Sequence, residues 1–178
     1  MRSPGTPGAR YVGCAYRAGV EKQIGFKNAA AGEGAVATRN VRLSGKLVAY
    51  EDFATGIPSS APSAPSGVAY RILVIDLVSR HGVRSAPTGK PTAAQQDGAL
   101  EGVGPTTDLV LKRDGAVAWI VNDDFPPATP TYQVWKYDVG AQPVMLASGH
   151  DIAPGSLRLA GSTLRWRQGA TLPSTPLT

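Results

Sequence analysis

The chain has 178 residues with 21 glycines, 15 prolines and 17% charged residues, enough length for one domain with a buried core and too many backbone breaks for long helices. Its net charge of +5 comes from scattered Lys and Arg, without the runs that mark a nucleic-acid arm. The single cysteine, Cys14, excludes an internal disulfide and a cysteine-built zinc site, and no apolar run of about 18 residues offers a transmembrane helix.

Residues 1–9, rich in Pro and Gly, read as disordered, and residues 10–178 as a single β-repeat domain. MRSPGTPGARYVGC lacks the apolar core of a secretory signal. Val12-Gly13-Cys14 has the letters of a lipoprotein cleavage box without the apolar run before it. Arg10 to Phe26 predicts a hairpin turning at Ala18-Gly19. Asn28 to Ala37 reads as a loop, with a helical turn as the alternative. Val41 to Asp52 predicts a hairpin turning at Ser44-Gly45-Lys46. Its return strand, Leu47 to Tyr50, is apolar on both faces and suits a strand buried on both sides. Thr55 to Gly67, made mostly of Pro, Ser, Ala and Gly, reads as a flexible surface loop. Tyr70 to Val78 predicts a strand, turned by Arg80-His81-Gly82 into Val83 to Ala86, and Gly89 to Pro105 is another long loop. Thr107 to Gly149 predicts two hairpins in succession, the first turning at Arg113-Asp114-Gly115. Ser156 to Gln168 predicts the last hairpin, about Ala160-Gly161-Ser162.

Pieces of this text repeat. VRLSGKLVAY from Val41, VLKRDGAVAW from Val110 and LRLAGSTLRW from Leu157 each give an apolar strand, a turn with Gly, and a return strand carrying Tyr50, Trp119 or Trp166. These aromatics should be core residues, each contributing about 2–3 kcal/mol by burial. YRILVIDL and YQVWKYDV match likewise and place Asp76 over Asp138. A repeated aspartate at a strand end is expected to accept backbone N–H bonds in a turn. The repeats fall at about 41–87 and 107–149, with a third copy split between 156–172 and the N-terminal hairpin at 10–27. Pairing those two ends in one sheet would close a ring and hide its edges. The tail Ala170 to Leu172 competes for the same place.

RDGAVAWIVND, a loop, and then YQVWKYDVGAQPVMLAS resembles the repeat of the TolB-like, WD40-like β-propellers, and the chain is similar to uncharacterised exported actinobacterial proteins built from such blades. The resemblance covers roughly Arg10 to Gly169. It implies an all-β fold: a small propeller-like toroid of about three four-stranded antiparallel blades, closed by the N- and C-terminal hairpins. An exported or extracytoplasmic location is implied with it. Propellers have about four to eight blades, so about three would close tightly alone or pair as a homodimer. A β-trefoil is the competing fold.

Few side chains point to chemistry. Gly82, Gly89 and Lys90 miss the spacing of a phosphate-cradling loop, and no Gly-x-Ser-x-Gly elbow occurs. His81 and His150 stand at turns, where solvation is the plain reading beside a general-base role. Asn122, Asp123 and Asp124 offer oxygens suited to calcium, but without EF-hand spacing. Arg42 and Arg158 occupy matching places on first strands, nearest the axis of a propeller, and could meet an anionic ligand there; surface arginines without a ligand are the alternative. The candidate binding residues are therefore Arg42, Arg158, Asn122, Asp123, Asp124 and His150, with no catalytic residue, metal or cofactor proposed. The expected function is a non-catalytic binding or interaction module for a protein, a glycan or a small anion. A hydrolase or lyase at the propeller face and a structural subunit are the alternatives.

Overall fold

Two stretches, Leu47–Tyr50 and Ala116–Val121, are apolar at every position, and such strands are buried only where both faces of the sheet are covered. The structure, a computed structural model, describes residues 9–15, 20–27, 36–57, 67–79, 81–90, 100–123 and 130–178. No helix occurs among them. The elements are β1 (Ala9–Ala15), β2 (Val20–Lys27), β3 (Val36–Ser44), β4 (Leu47–Ile57), β5 (Gly67–Asp76), β6 (Gly82–Pro87), β7 (Leu100–Glu101), β8 (Thr106–Leu111), β9 (Val117–Asn122), β10 (Tyr132–Tyr137), β11 (Val144–Gly149), β12 (Arg158–Ala160), β13 (Thr163–Arg165) and β14 (Ser174–Pro176).

Among the described residues these form four sheets: β1-β2; β3-β4-β5-β6, with β7 added in parallel to β5; β8-β9-β10-β11; and β12-β13-β14. The matched hairpins of the sequence are β3–β4, β8–β9 and β12–β13. Their turn glycines Gly45, Gly115 and Gly161 have φ of 63°, 97° and 59°, a region that a Cβ disfavours.

The sheets stack by their faces. Val117, Trp119 and Val121 of β9 pack with Leu47 and Ala49 of β4 and Ile72 and Val74 of β5. On the opposite face Ala118 and Ile120 pack with Leu157, Leu164, Trp166 and Leu177. β9 is thus buried on both sides, and β4 likewise, since Val48 and Tyr50 belong to a separate cluster with Leu77. Arg84 of β6 ties the first sheet to its neighbour by donating to the carbonyls of Gly115 and Asp138, both at 3.0 Å, with its guanidinium over the Tyr137 ring. Tyr50, Trp119 and Trp166, at matching places in the three hairpin sequences, are all buried, as expected.

The third repeat departs from expectation. Its sheet takes its third strand from the tail, β14 on β13, and the N-terminal hairpin β1–β2 forms a separate sheet whose β2 lies near β3. The tail wins because it is held at several points. Leu177 is fully buried, Leu177 N donates to Ser162 O at 2.8 Å, Lys112 and Lys136 donate to the carbonyls of Leu177 and Pro176, and Val139 N donates to Thr178 O at 2.7 Å. The strand is Ser174–Pro176; of Ala170 to Leu172, only Thr171 makes an isolated bridge, to Gln168.

Other boundaries shift. β3 begins at Val36, inside the expected loop, and β4 runs on to Ile57. β5 ends at Asp76 with Leu77–Ser79 in the turn. The long loop before Thr106 contains β7. Ala9 already belongs to β1, as does Cys14. Expectations for residues 1–8, 16–19, 28–35, 58–66, 80, 91–99 and 124–129, the turn at Ala18-Gly19 among them, lie outside the described residues.

Candidate functional site

The first strand of each repeat is the edge strand of its sheet, and the three edges, β3, β8 and β12, line one cleft. The cleft has a volume of about 320 Å³ and apolar walls that include Leu43, Leu109, Val110, Leu111 and Leu159, with Arg42 and Arg158 among them. The structure therefore brings together the two arginines that the repeat alignment put in register.

Between them stands Asp108 of β8, which the sequence reading missed. Its Oδ1 lies 3.7 Å from Arg42 Nη2 and its Oδ2 3.8 Å from Arg158 Nη1. Both distances exceed a hydrogen bond. The carboxylate instead accepts the N–H of Leu109 at Oδ1 and that of Leu157 at Oδ2, both at 2.9 Å. Arg42 donates to Val41 O, and Arg158 to Gly155 O and Leu157 O. The arginine side chains are 46% and 73% exposed while that of Asp108 is 10% exposed. Two cations thus face solvent beside one carboxylate whose oxygens already hold backbone donors, leaving a local excess of positive charge. Each guanidinium has five N–H donors in a planar fork, and only part of that set is used here.

Farther along β3 and β8 a second set of polar groups joins the two sheets. Asn40 has φ of 51° at a bulge between Arg39 and Arg42, a conformation Asn tolerates better than most residues. The bulge aims its Nδ2 at Thr106 O and Thr106 Oγ1, both at 2.7 Å. The Thr106 hydroxyl donates onward to Glu51 Oε2, which also accepts Thr106 N–H at 2.8 Å. Glu51 is fully buried, and its Oε1 has no hydrogen-bond partner, with Arg39 Nη1 3.9 Å away. Burial pushes the Glu51 carboxyl above the ordinary carboxylate range, against the Thr106 bonds and the Arg39 charge.

The remaining candidates lie elsewhere. Asp123 N donates to Thr131 O, and Asp123 Oδ2 accepts from Gln133 Nε2 at 2.6 Å. His150 Nδ1 lies 3.1 Å from both Thr131 Oγ1 and Pro130 O. Asn122 pairs with Tyr132, which also pairs with Gly149, so Asn122, Asp123 and His150 gather at one end of the second sheet. None of the three lines the cleft. Asp124 lies outside the described residues. Among the described residues no group of three or more His, Cys, Asp and Glu side chains is placed to hold a metal ion.

Asp76 behaves as a repeated strand-end aspartate should, accepting the N–H groups of Val78 at 2.8 Å and Ser79 at 3.2 Å. Asp138 does not cap its own turn. It accepts Thr178 N–H at 2.7 Å, and burial that would raise its pKa is outweighed by Lys136 at 2.6 Å and that N–H.

Comparison with protein-family models, curated proteins and solved structures found no match.

Proposed function

We propose that this chain is a non-catalytic binding module of TolB-like propeller blades, which takes the carboxylate or phosphate of a ligand into the cleft between β3, β8 and β12. The observation that carries the reading is the pair Arg42 and Arg158, contributed by matched positions of different repeats and set on either side of Asp108 beyond hydrogen-bond range. An incoming anion can span both guanidinium groups while the apolar remainder of the ligand rests on Leu43, Leu111 and Leu159. Blades rather than a β-trefoil are supported by each repeat having its own sheet, stacked by a face on the next. An exported location rests on the resemblance to the propeller repeats alone.

Isothermal titration with inorganic phosphate and with succinate tests this. Binding of either that weakens with salt and is lost in the R42Q/R158Q variant is expected, and the stronger of the two identifies the acid group. Asp108→Asn, which keeps an acceptor for Leu157 N–H and gives up the bond from Leu109 N–H, should tighten binding several-fold by removing a like charge about 4 Å from the site. Absence of binding to both, or unchanged affinity in the double variant, overturns the reading.

A hydrolase or lyase would need Asp123, Asp124, His150 and an arginine in one cleft; neither Asp123 nor His150 lines the cleft of Arg42 and Arg158, and Asp124 lies outside the described residues. A structural subunit has one observation in its favour: on the edge strand β11, Val144 and Met145 are 49% and 45% exposed. Light scattering of the M145K variant against the wild type tests it, since a monomer in both removes that reading.

A further inference from the structure

A second cleft lies between β6 of the first large sheet and β10 of the next, and neither Arg42 nor Arg158 lines it. It measures about 390 Å³, and its lining includes Ser85 and Pro87 of β6, Lys90, Trp135 of β10, and Gln142 and Pro143 before β11. This is within the roughly 300–1,000 Å³ of small-molecule pockets. Its composition is that of such a pocket: mostly apolar, with a hydroxyl, an amide and an ammonium.

Trp135 is held in one pose. Its Nε1–H donates to Gln133 Oε1 at 2.7 Å, and its ring stacks on the fully buried Trp119 with centroids 6.3 Å apart and planes 6° from parallel. Gln133 is fixed in turn by donating to Asp123 Oδ2 at 2.6 Å, and Trp119 by donating to Thr88 O. Gly89 permits this packing, since a Cβ there would sit 2.8 Å from Gln133 Oε1 and 2.5 Å from Val103 Cγ2. With its polar edge engaged and its ring stacked on Trp119, the partly exposed indole lines the cleft as an apolar surface, and an aromatic face carries negative quadrupole charge. The complementary surface is a flat array of C–H bonds polarised by neighbouring oxygens, as on a pyranose ring. Ser85 and Gln142 supply donors and acceptors for the ring hydroxyls, a set that a plain aromatic ligand would leave unused. Among the described residues no carboxylate lines the cleft, and Lys90 supplies a cation there.

We propose that this cleft binds an acidic sugar, a pyranose bearing a carboxylate, with the ring stacked on Trp135 and the carboxylate on Lys90. The site does not depend on the arginine cleft, and its test is arranged to keep the two apart. A uronic-acid tetrasaccharide (oligogalacturonate), its neutral galactose counterpart and benzoate are titrated by calorimetry into the R42Q/R158Q variant, and the Trp135 Nε1–H resonance is followed wherever Trp135 is present. The acidic tetrasaccharide is expected to bind and shift that resonance, about tenfold or more tighter than the neutral one, as loss of one charge-assisted hydrogen bond implies. Lys90→Gln should abolish that difference while leaving stacking. Trp135→Ala should remove binding of both sugars, and Trp135→Phe, which keeps a ring, controls for misfolding. Failure of the acidic sugar to bind, binding that survives Trp135→Ala, or a preference for benzoate overturns the proposal.

Discussion

Glu51 is fully buried and has one oxygen without a hydrogen-bond partner, so its titration is a property of the fold. The unfolded chain releases this proton near the ordinary value of 4.5, whereas burial holds it to higher pH in the folded protein. Between those two values the folded state binds more protons, so stability falls as pH rises, and the penalty is complete above the raised value. Glu51→Gln keeps an acceptor for Thr106 and cannot ionise. Thermal melts should show it more stable than the wild type near neutrality, without the decline that begins above 4.5; parallel profiles for the two proteins would count against this. Asp76 works in the opposite sense. Lys46 at 2.7 Å holds its carboxyl below the ordinary 3.8, so its stabilisation is present above that value and is lost as pH falls through the lower folded one. In acid titrations Lys46→Met should unfold at higher pH than the wild type. Neither Glu51 nor Asp108 was legible as a special residue. Glu51 is one of two adjacent acids in β4 and Asp108 a lone charge in β8, and what distinguishes each is contact with another sheet, Thr106 for one and Leu157 for the other.

At the level of elements, the hairpins were legible because each announces itself twice, by an apolar strand on either side and by a glycine whose φ the turn requires. Gly115→Ala should therefore cost about 1–2 kcal/mol in chemical denaturation. β14 gave no such signal. It is three residues long, Ser174 to Pro176, and includes a proline that can sit only where no ladder donor is needed. Its place is set by Leu177 just beyond it, which is buried in the cluster with Leu164 and Trp166. Leu177→Ala should destabilise the protein by roughly 2–5 kcal/mol, and a loss under about 1 kcal/mol, that of an exposed position, would show that the tail is not what completes this sheet. β7 was illegible for another reason: its two residues pair in parallel with Val68 and Ala69, a contact across a long loop that no local pattern encodes.

For the molecule as a whole, the apolar runs carried most of the information, since strands buried on both faces imply stacked sheets, and stacked sheets are what form. Which end of the chain completes the last sheet was not encoded in any run. β9 lies between two cores, so its amides should open only when both are disrupted. Hydrogen exchange should find them the slowest in the protein, and exchange as fast as that of β12 would contradict the packing. The charged residues beside the cleft also set the matched stretches of sequence apart. Arg42 and Arg158 come from outer copies and Asp108 from the middle one, where Leu111 stands at the matching arginine position. A chain built from three identical copies of the first unit would crowd three guanidinium groups together with no carboxylate between them. The matched stretches of sequence are not interchangeable, and the difference among them is what lets opposite charges meet between β3, β8 and the start of β12.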